Sequence, residues 1–277
     1  MAVRDLIFDI GLHTGKDTAF YLKKGFRVVA VEANDALVKE ASQRFAGEID
    51  AGRLTIHHAA IAEREGTVDF FVNDQKDDWG TTSLAFVERN EALGTTHTKV
   101  EVPCLPLQRI IERYGVPYYA KIDIEGADVL CLEAFLDFDE RPEYLSIEAT
   151  LDRFEGAFAE FSHLWVLGYR RFKIVNQALH HSVRCPLPAR EGLYVDERFD
   201  GHMSGPFGEE APGTWRDIES AWHRYREILV DQSRFGARGR YWNTPLRQLD
   251  DWWRRFTRRE PAGWYDIHAG RGDARRS

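Results

Sequence analysis

Cysteine is scarce in this chain. Cys104, Cys131 and Cys185 are its three, no two of them form a C-x-x-C pair, and an odd number cannot complete a disulfide framework, so a reducing compartment is expected. No apolar run is long enough to cross a bilayer. Arg4, Asp5 and Asp9 fall where a secretory h-region would need apolar residues, which points to a cytoplasmic protein without a removed leader. Positive charge is also in deficit: 37 Lys and Arg against 45 Asp and Glu give a net charge of -8. That balance argues against a globally basic surface for nucleic acid, so no nucleic-acid partner is expected, and without a spanning run no membrane partner is expected either. Two nucleotide signatures are missing as well. His13 and Lys16 stand where the dinucleotide fingerprint G-x-G-x-x-G needs glycine, and no G-x-x-x-x-G-K-[ST] phosphate loop exists.

What remains is a composition of soluble globular type, 43% hydrophobic and 30% charged over 277 residues, enough for a large domain or a domain with an appendage. The charges are unevenly spread. Residues 1–177 hold 20 basic and 30 acidic side chains, and residues 178–277 hold 17 and 15. All eight lysines lie in the first stretch; six of the eight tryptophans, Trp215, Trp222, Trp242, Trp252, Trp253 and Trp264, lie in the second, where every positive charge is arginine. A core of residues 1–177 followed by an Arg/Trp-rich extension of 178–277 is therefore expected. Arg forks and aromatic faces suit a planar, sugar-like or anionic ligand, while core filling and inter-subunit packing explain them equally well.

Short apolar runs alternate with amphipathic stretches in the core, the pattern of a mostly parallel sheet wrapped by helices. Strands are predicted at 5–10, 27–32, 54–60, 67–72, 118–124, 143–148 and 169–175. Helices are predicted at 16–24, from Asn34 or Asp35 to about Phe45, and at 107–114, 127–135, 154–167 and 215–230. Residues 73–99 read as a long loop over the sheet, and 269–277 as a frayed end.

Three junctions carry chemistry. Phe8-Asp9-Ile10-Gly11-Leu12-His13-Thr14-Gly15 runs from a strand through a turn into a helix; Gly11 permits the turn and Gly15 a close approach, so a ligand can lie against bare backbone. The spacing suits a cofactor with a charged amino-acid end and no pyrophosphate. Twenty-one residues on, Glu32 ends the second strand, where a carboxylate can accept hydrogen bonds from both hydroxyls of a ribose, although a helix-terminal charge is the alternative. In Lys121-Ile122-Asp123-Ile124-Glu125-Gly126-Ala127-Asp128, Asp123 and Glu125 emerge at a strand end, as reacting groups or as helix caps.

These residues, with Val31-Glu32, Ala59-Ala60-Ile61-Ala62, Gly66-Thr67-Val68 and above all the Lys121–Asp128 run, resemble the FkbM family of S-adenosylmethionine-dependent methyltransferases over about the first two thirds of the chain. The resemblance implies a Rossmann-like class I methyltransferase fold, α/β, with a mostly parallel sheet, helices on both faces and a C-terminal elaboration. It implies S-adenosylmethionine as cofactor, S-adenosylhomocysteine as product, and transfer to an oxygen of a sugar or natural-product scaffold. Asp9 and Gly11 would meet the methionine end, Glu32 the ribose, Ala60 and Ile61 the adenine edge, and Asp123 the far side of the donor. Trp79, Gly80, Thr82 and Ser83 correspond to a loop close to the cofactor. His13 departs from the family, standing where glycine is common; it either packs beside the methionine moiety or points to solvent.

A sugar hydroxyl is a weak nucleophile, so a general base is expected, and the candidates are Asp123, Glu125 and Glu148, with His13, His180, His181 and His268 as alternatives. Without a His/Cys set at ligand spacing, no metal is expected. A small-molecule, sugar-containing acceptor is the expected partner. The extension, with Trp264, Asp266 and His268 as contacts, serves as acceptor lid or as homodimer interface. Rival readings are a carboxylate or N-methyltransferase, an NAD-dependent oxidoreductase, disfavoured by the missing fingerprint, and a non-catalytic nucleotide-binding module.

Overall fold

The computed structural model describes residues 2–76, 79–124, 126–151, 154–236, 239–257 and 259–272. The chain divides into two compact units. The first comprises residues 1–145 with 192–195; the second comprises 146–191 and 196–277.

In the first unit, strands β1 (Val3–Ile10), β2 (Arg27–Glu32), β3 (Leu54–His58) and β7 (Pro117–Ile122) stand in the order β3-β2-β1-β7, and every ladder between them is parallel. Leu6, Ile7, Phe8 and Ile10 of β1 and Tyr119, Ala120 and Ile122 of β7 are all buried. Strands covered on both faces need such near-continuous apolar runs, which is why these segments are legible as parallel. Helix α1 (Lys16–Lys23) packs on β1 and β2, and α2 (Asp35–Arg44) on β2 and β3. The Asn34 side chain accepts a hydrogen bond of 3.0 Å from the Ala36 amide and so starts α2. A short helix α3 (Ala46–Asp50) follows.

A second, three-stranded sheet has the order β4-β6-β5, from β4 (Ala60–Ile61), β5 (Gly66–Asn73) and β6 (His97–Leu105). It corrects the sequence expectation twice. Ala60 does not continue β3 but begins a separate strand paired with Cys104 of β6. Residues 73–99 are not one long loop: they include the end of β5, the helix α4 (Leu84–Ala92) and the start of β6. The signal in β6 was a period of two, with Val102 and Cys104 turned into a small core with Ala60 and Phe70 while Lys99 and Glu101 stay exposed. The opening His97-Thr98-Lys99 is polar and hides that alternation. Helix α5 (Leu107–Tyr114) buries Leu107, Ile110 and Ile111 as its spacing predicts, and α6 (Asp128–Ala134) follows β7.

Strand β8 (Tyr144–Glu148) runs across the division into the second unit, whose strands stand in the order β8-β10-β9. Helix α7 (Phe154–Val166) leads to β9 (Arg171–Asn176); α8 (Ile218–Phe235) and α9 (Pro245–Thr257) precede β10 (Tyr265–Gly270). β10 runs antiparallel to β9, with Ile267 opposite Ile174, and is buried throughout. Residues 265–270 thus form a central strand, which corrects the frayed end expected from Ala269. The last strand of residues 178–277, β10, pairs with β9, which precedes Gln177. Helix α8, capped by Asp217 through the Ser220 amide, buries Ala221, Tyr225 and Ile228, and Trp222 packs its ring 5.7 Å from that of Phe161. Tyr225 stacks parallel to Trp222 and meets Phe161 edge-on at 5.4 Å, so this face of α8 packs into the core.

Candidate functional site

The parallel sheet changes direction at β1. The chain moves from β1 outward to β2 and β3, then returns to lay β7 on the other side of β1, which leaves a crevice beyond the carboxyl ends of these strands. Gly11, Glu32 and Asp123 lie at those three ends.

Gly11 (φ +96°) could not be any other residue. A Cβ there would stand 1.9 Å from the carbonyl oxygen of Asp123, whose own amide donates to Ile10 O at 2.9 Å. The turns after β1 and β7 are therefore in direct backbone contact. The amides of Gly11 and Leu12 both donate to Val31 O, at 3.0 Å each, which ties the β2 end to the same turn. Glu32 finishes the tie. Its Oε2 accepts from the His13 amide and its Oε1 from the Asn34 amide, each at 2.8 Å. Burial pushes the Glu32 carboxyl up, and these backbone hydrogen bonds work against that rise. Each carboxylate oxygen keeps a second lone pair beyond its amide partner.

Beneath the turn lies a residue to which the sequence motifs assign no role. Lys121, almost wholly buried, donates to Gly11 O at 3.0 Å and sits 3.4 Å from Asp9, 3.4 Å from Asp123 and 3.6 Å from Asp17. Burial pulls its ammonium down, but Asp9, Asp123 and Asp17 more than offset this, and the group is held well above the ordinary lysine range. A lysine inside an otherwise apolar strand was the available signal, because burying such a charge requires paired carboxylates. Asp9 is the deepest of them. It is fully buried and accepts from Thr18 Oγ1 at 2.6 Å, so it supports the turn from below instead of lining it. Asp123 alone of the three reaches outward, its side chain 42% exposed. Three carboxylates around one ammonium leave a formal negative surplus.

Gly126 (φ +104°) brings in a further segment. A Cβ on it would fall 2.8 Å from the Phe86 ring and 3.2 Å from Ser83 Cβ, so the loop after β7 and the start of α4 touch. The preceding stretch is pinned to β5 by a bridge between Phe71 and Thr81, and the Thr81 hydroxyl accepts from the Ser83 amide at 2.9 Å. Thr82 and Ser83 are half-buried there, and the Trp79 ring lies 5.8 Å from the Arg89 guanidinium.

Residues 9–184, well over half of the chain, match the methyltransferase FkbM domain family. The chain belongs to that family. Among solved structures the FkbM domain is similar to a methyltransferase FkbM from Methylobacillus flagellatus KT (19% identity, 54% of this chain and 34% of that one, TM-score 0.35). It is also similar to a precorrin-6y C5,15-methyltransferase from Geobacter metallireducens GS-15 (11% identity, 98% and 82%, TM-score 0.38) and to a SAM-dependent methyltransferase from Archaeoglobus fulgidus (12% identity, 97% and 87%, TM-score 0.36). The chain spans about a third of the M. flagellatus protein, and at these TM-scores the assignment rests on the family match. No curated protein matches the chain.

The structure brings together Gly11, His13, Gly15, Glu32 and Asp123 of the expected FkbM site, with Asp9 behind them; Gly15 is the N-cap of α1. Ala60 and Ile61 are buried in β4, next along the chain from β3. Glu125 lies outside the described residues. Glu148 ends β8 in the second unit. His268 is buried in β10, and burial, with Lys173 and His180 adding to it, pushes its imidazole down to about 3. His180 is buried as well, with Nδ1 2.8 Å from Met203 O. Asp266 is likewise interior to β10, whereas Trp264 is exposed. Among the described residues no cluster of His, Cys, Asp and Glu could hold a metal ion. None of their helices is long and apolar enough to cross a membrane.

The donor set fits S-adenosylmethionine on this chain's own features. A buried carboxylate with free lone pairs suits a vicinal diol. The negative surplus around Lys121, with the Asp123 side chain its outward member, suits a sulfonium cation.

Proposed function

We propose that this FkbM domain is an S-adenosylmethionine-dependent methyltransferase whose acceptor is a hydroxyl oxygen of a sugar or polyhydroxyl natural product. The observation that carries the reading is the convergence of Glu32, Gly11 and Asp123 at three adjacent strand ends where the sheet reverses its order. Glu32 would hold the ribose, the Gly11 turn the methionine end, Ala60 and Ile61 the adenine edge, and the Trp79–Ser83 segment the cofactor's outer side. When bound, the cofactor supplies an electrophilic methyl on a sulfur that departs neutral.

The protein's share is then small in covalent terms: to orient an acceptor oxygen in line and to deal with its proton. Asp123 is the residue for this. It is the exposed member of the Lys121 cluster, and its backbone is fixed against Gly11, so its carboxylate can accept a hydrogen bond from an acceptor hydroxyl at a set place. Lys121 is a positioning residue that holds Asp123 and the Gly11 carbonyl together.

Calorimetric titration with S-adenosylhomocysteine, followed by methyl transfer from labelled donor to a panel of glycosides, carboxylates and amines, tests the reading. Binding together with transfer to a hydroxyl is expected. Binding of NADH in its place overturns the donor assignment, and transfer only to carboxylates or amines overturns the acceptor class.

A further inference from the structure

Helix α9 is built the wrong way round. Amphipathic helices of globular proteins turn their apolar stripe to the core, yet here Leu246, Leu249, Trp252, Trp253 and Phe256 recur at intervals of three or four and all face solvent. Leu249 is 61% exposed, Trp252 60% and Phe256 71%. At 100° per residue these positions form one stripe about 120° wide, free of any charged residue. The aromatic rings gather on it: Trp252 stacks on Phe256 with centroids 5.6 Å apart, and Trp253 lies 6.0 Å from Phe256.

The charged face turns inward. Arg254, 9% exposed, is the one fully buried residue of the helix; it pairs with Asp250 and with Asp231 of α8, and its guanidinium donates to Glu260 O at 2.9 Å. Arg247 pairs with Asp251 and lies 3.7 Å from Asp250. The contacts of Arg254 to Asp231 of α8 and to Glu260 O tie this face of α9 inward, so the apolar stripe is held outward.

We propose that this face is a peripheral docking surface for an anionic lipid bilayer. Charge decides the occupant. Residues 234–259 hold eight arginines and two aspartates in a chain whose net charge is -8; Arg247 and Arg254 are turned inward and engaged by both aspartates, which leaves the other arginines of the segment as a positive excess. Arg255, next to the stripe around the helix axis, and Arg259, just past the helix end, are exposed. An apolar face of Trp, Phe and Leu bordered by arginine is what an interfacial helix presents to lipid headgroups, with indoles at the level of the interface. A helix lying in the interface needs no spanning segment.

The test uses the full chain in flotation with two kinds of vesicle, phosphatidylcholine alone and a phosphatidylcholine–phosphatidylglycerol mixture. The protein is expected to float with the mixed vesicles, and the double variant Trp252→Ser, Phe256→Ser to lose at least about tenfold in binding. Because both side chains are exposed, this variant should melt with the wild type. Arg255→Glu with Arg259→Glu should weaken binding to mixed vesicles and leave the neutral ones unaffected. Failure of the wild type to float, or equal flotation of the Trp252/Phe256 variant, overturns the proposal. Equal binding to neutral vesicles overturns its anionic part. A dimer seen by light scattering and abolished by the same double variant overturns it in favour of a second copy of the chain.

Discussion

The carbonyl oxygen of Asp123 lies where a side chain on Gly11 would have to begin, 1.9 Å from the position of its Cβ. The two turns that frame the crevice are thus one backbone unit, and neither can shift without the other. Gly11→Ala forces both a positive φ and a backbone clash, each a cost of about 1 to 3 kcal/mol. Urea unfolding should show a loss in that range or above, and S-adenosylhomocysteine binding should fall with it. Unchanged stability would mean that the turn relaxes freely.

Glu32→Ala removes the acceptor for the His13 and Asn34 amides as well as the proposed ribose contact. Charge-assisted hydrogen bonds of this kind are worth about 2 kcal/mol, so calorimetry should show donor affinity down roughly thirtyfold. Glu32→Gln presents an amide nitrogen to one of the two backbone donors and should lose most of the same affinity.

Asp123→Asn separates binding from turnover. The exposed carboxylate contributes little to stability, within about 1 kcal/mol, because its pairing with Lys121 is partly screened by solvent. Methyl transfer should drop by about a hundredfold or more while donor affinity changes little. Equal losses in both would make Asp123 a donor-binding residue alone.

Lys121→Met should be the most damaging of these substitutions to the fold. It strands Asp9 and Asp17, both buried, without their cation. Leaving buried charges uncompensated costs about 3 to 5 kcal/mol, which denaturant unfolding at neutral pH would register.

His268 ties stability to pH. Its imidazole is pushed down to about 3 in the folded protein and returns to about 6.5 on unfolding. Between those values the unfolded chain binds the extra proton, so stability is complete above about pH 6.5 and is lost as pH falls toward 3, by roughly 3 to 5 kcal/mol in total. His268→Leu removes the titration. Its stability should fall less steeply than that of wild type between about pH 6 and pH 4 in unfolding curves.

The elements most legible in the sequence are those whose burial is two-sided. β2 at 27–32 and α5 at 107–114 have the bounds their patterns predict, because every turn or alternate residue is committed to a core. The segment 73–99 and strand β10 were not legible, for opposite reasons. Helix α4 buries only Val87 and Asn90, too little to set a period, and β10 reads Tyr-Asp-Ile-His-Ala-Gly, with polar residues buried at positions where alternation predicts exposure. At the crevice, the glycines and the strand-end acids announced themselves by type and spacing. Lys121 did not, because its partners Asp9 and Asp17 lie over a hundred residues away in sequence and only the fold collects them.

The place of β10 bears on how the second unit is made. β10 lies between β8 and β9, and its ladder with β9 joins residues up to 99 positions apart, Arg171 to Gly270. On a ribosome, β9 emerges long before its ladder partner. Until Gly270 has been added, β9 lacks its ladder partner, and among the described residues one bridge, Phe172 to Arg216, joins it to later chain. Pairing across so long a loop is slow, and an uncovered strand edge invites association with other chains. Nascent chains halted before Tyr265 should therefore be the species that chaperones engage, and a shortened chain lacking β10 should be recovered as aggregate.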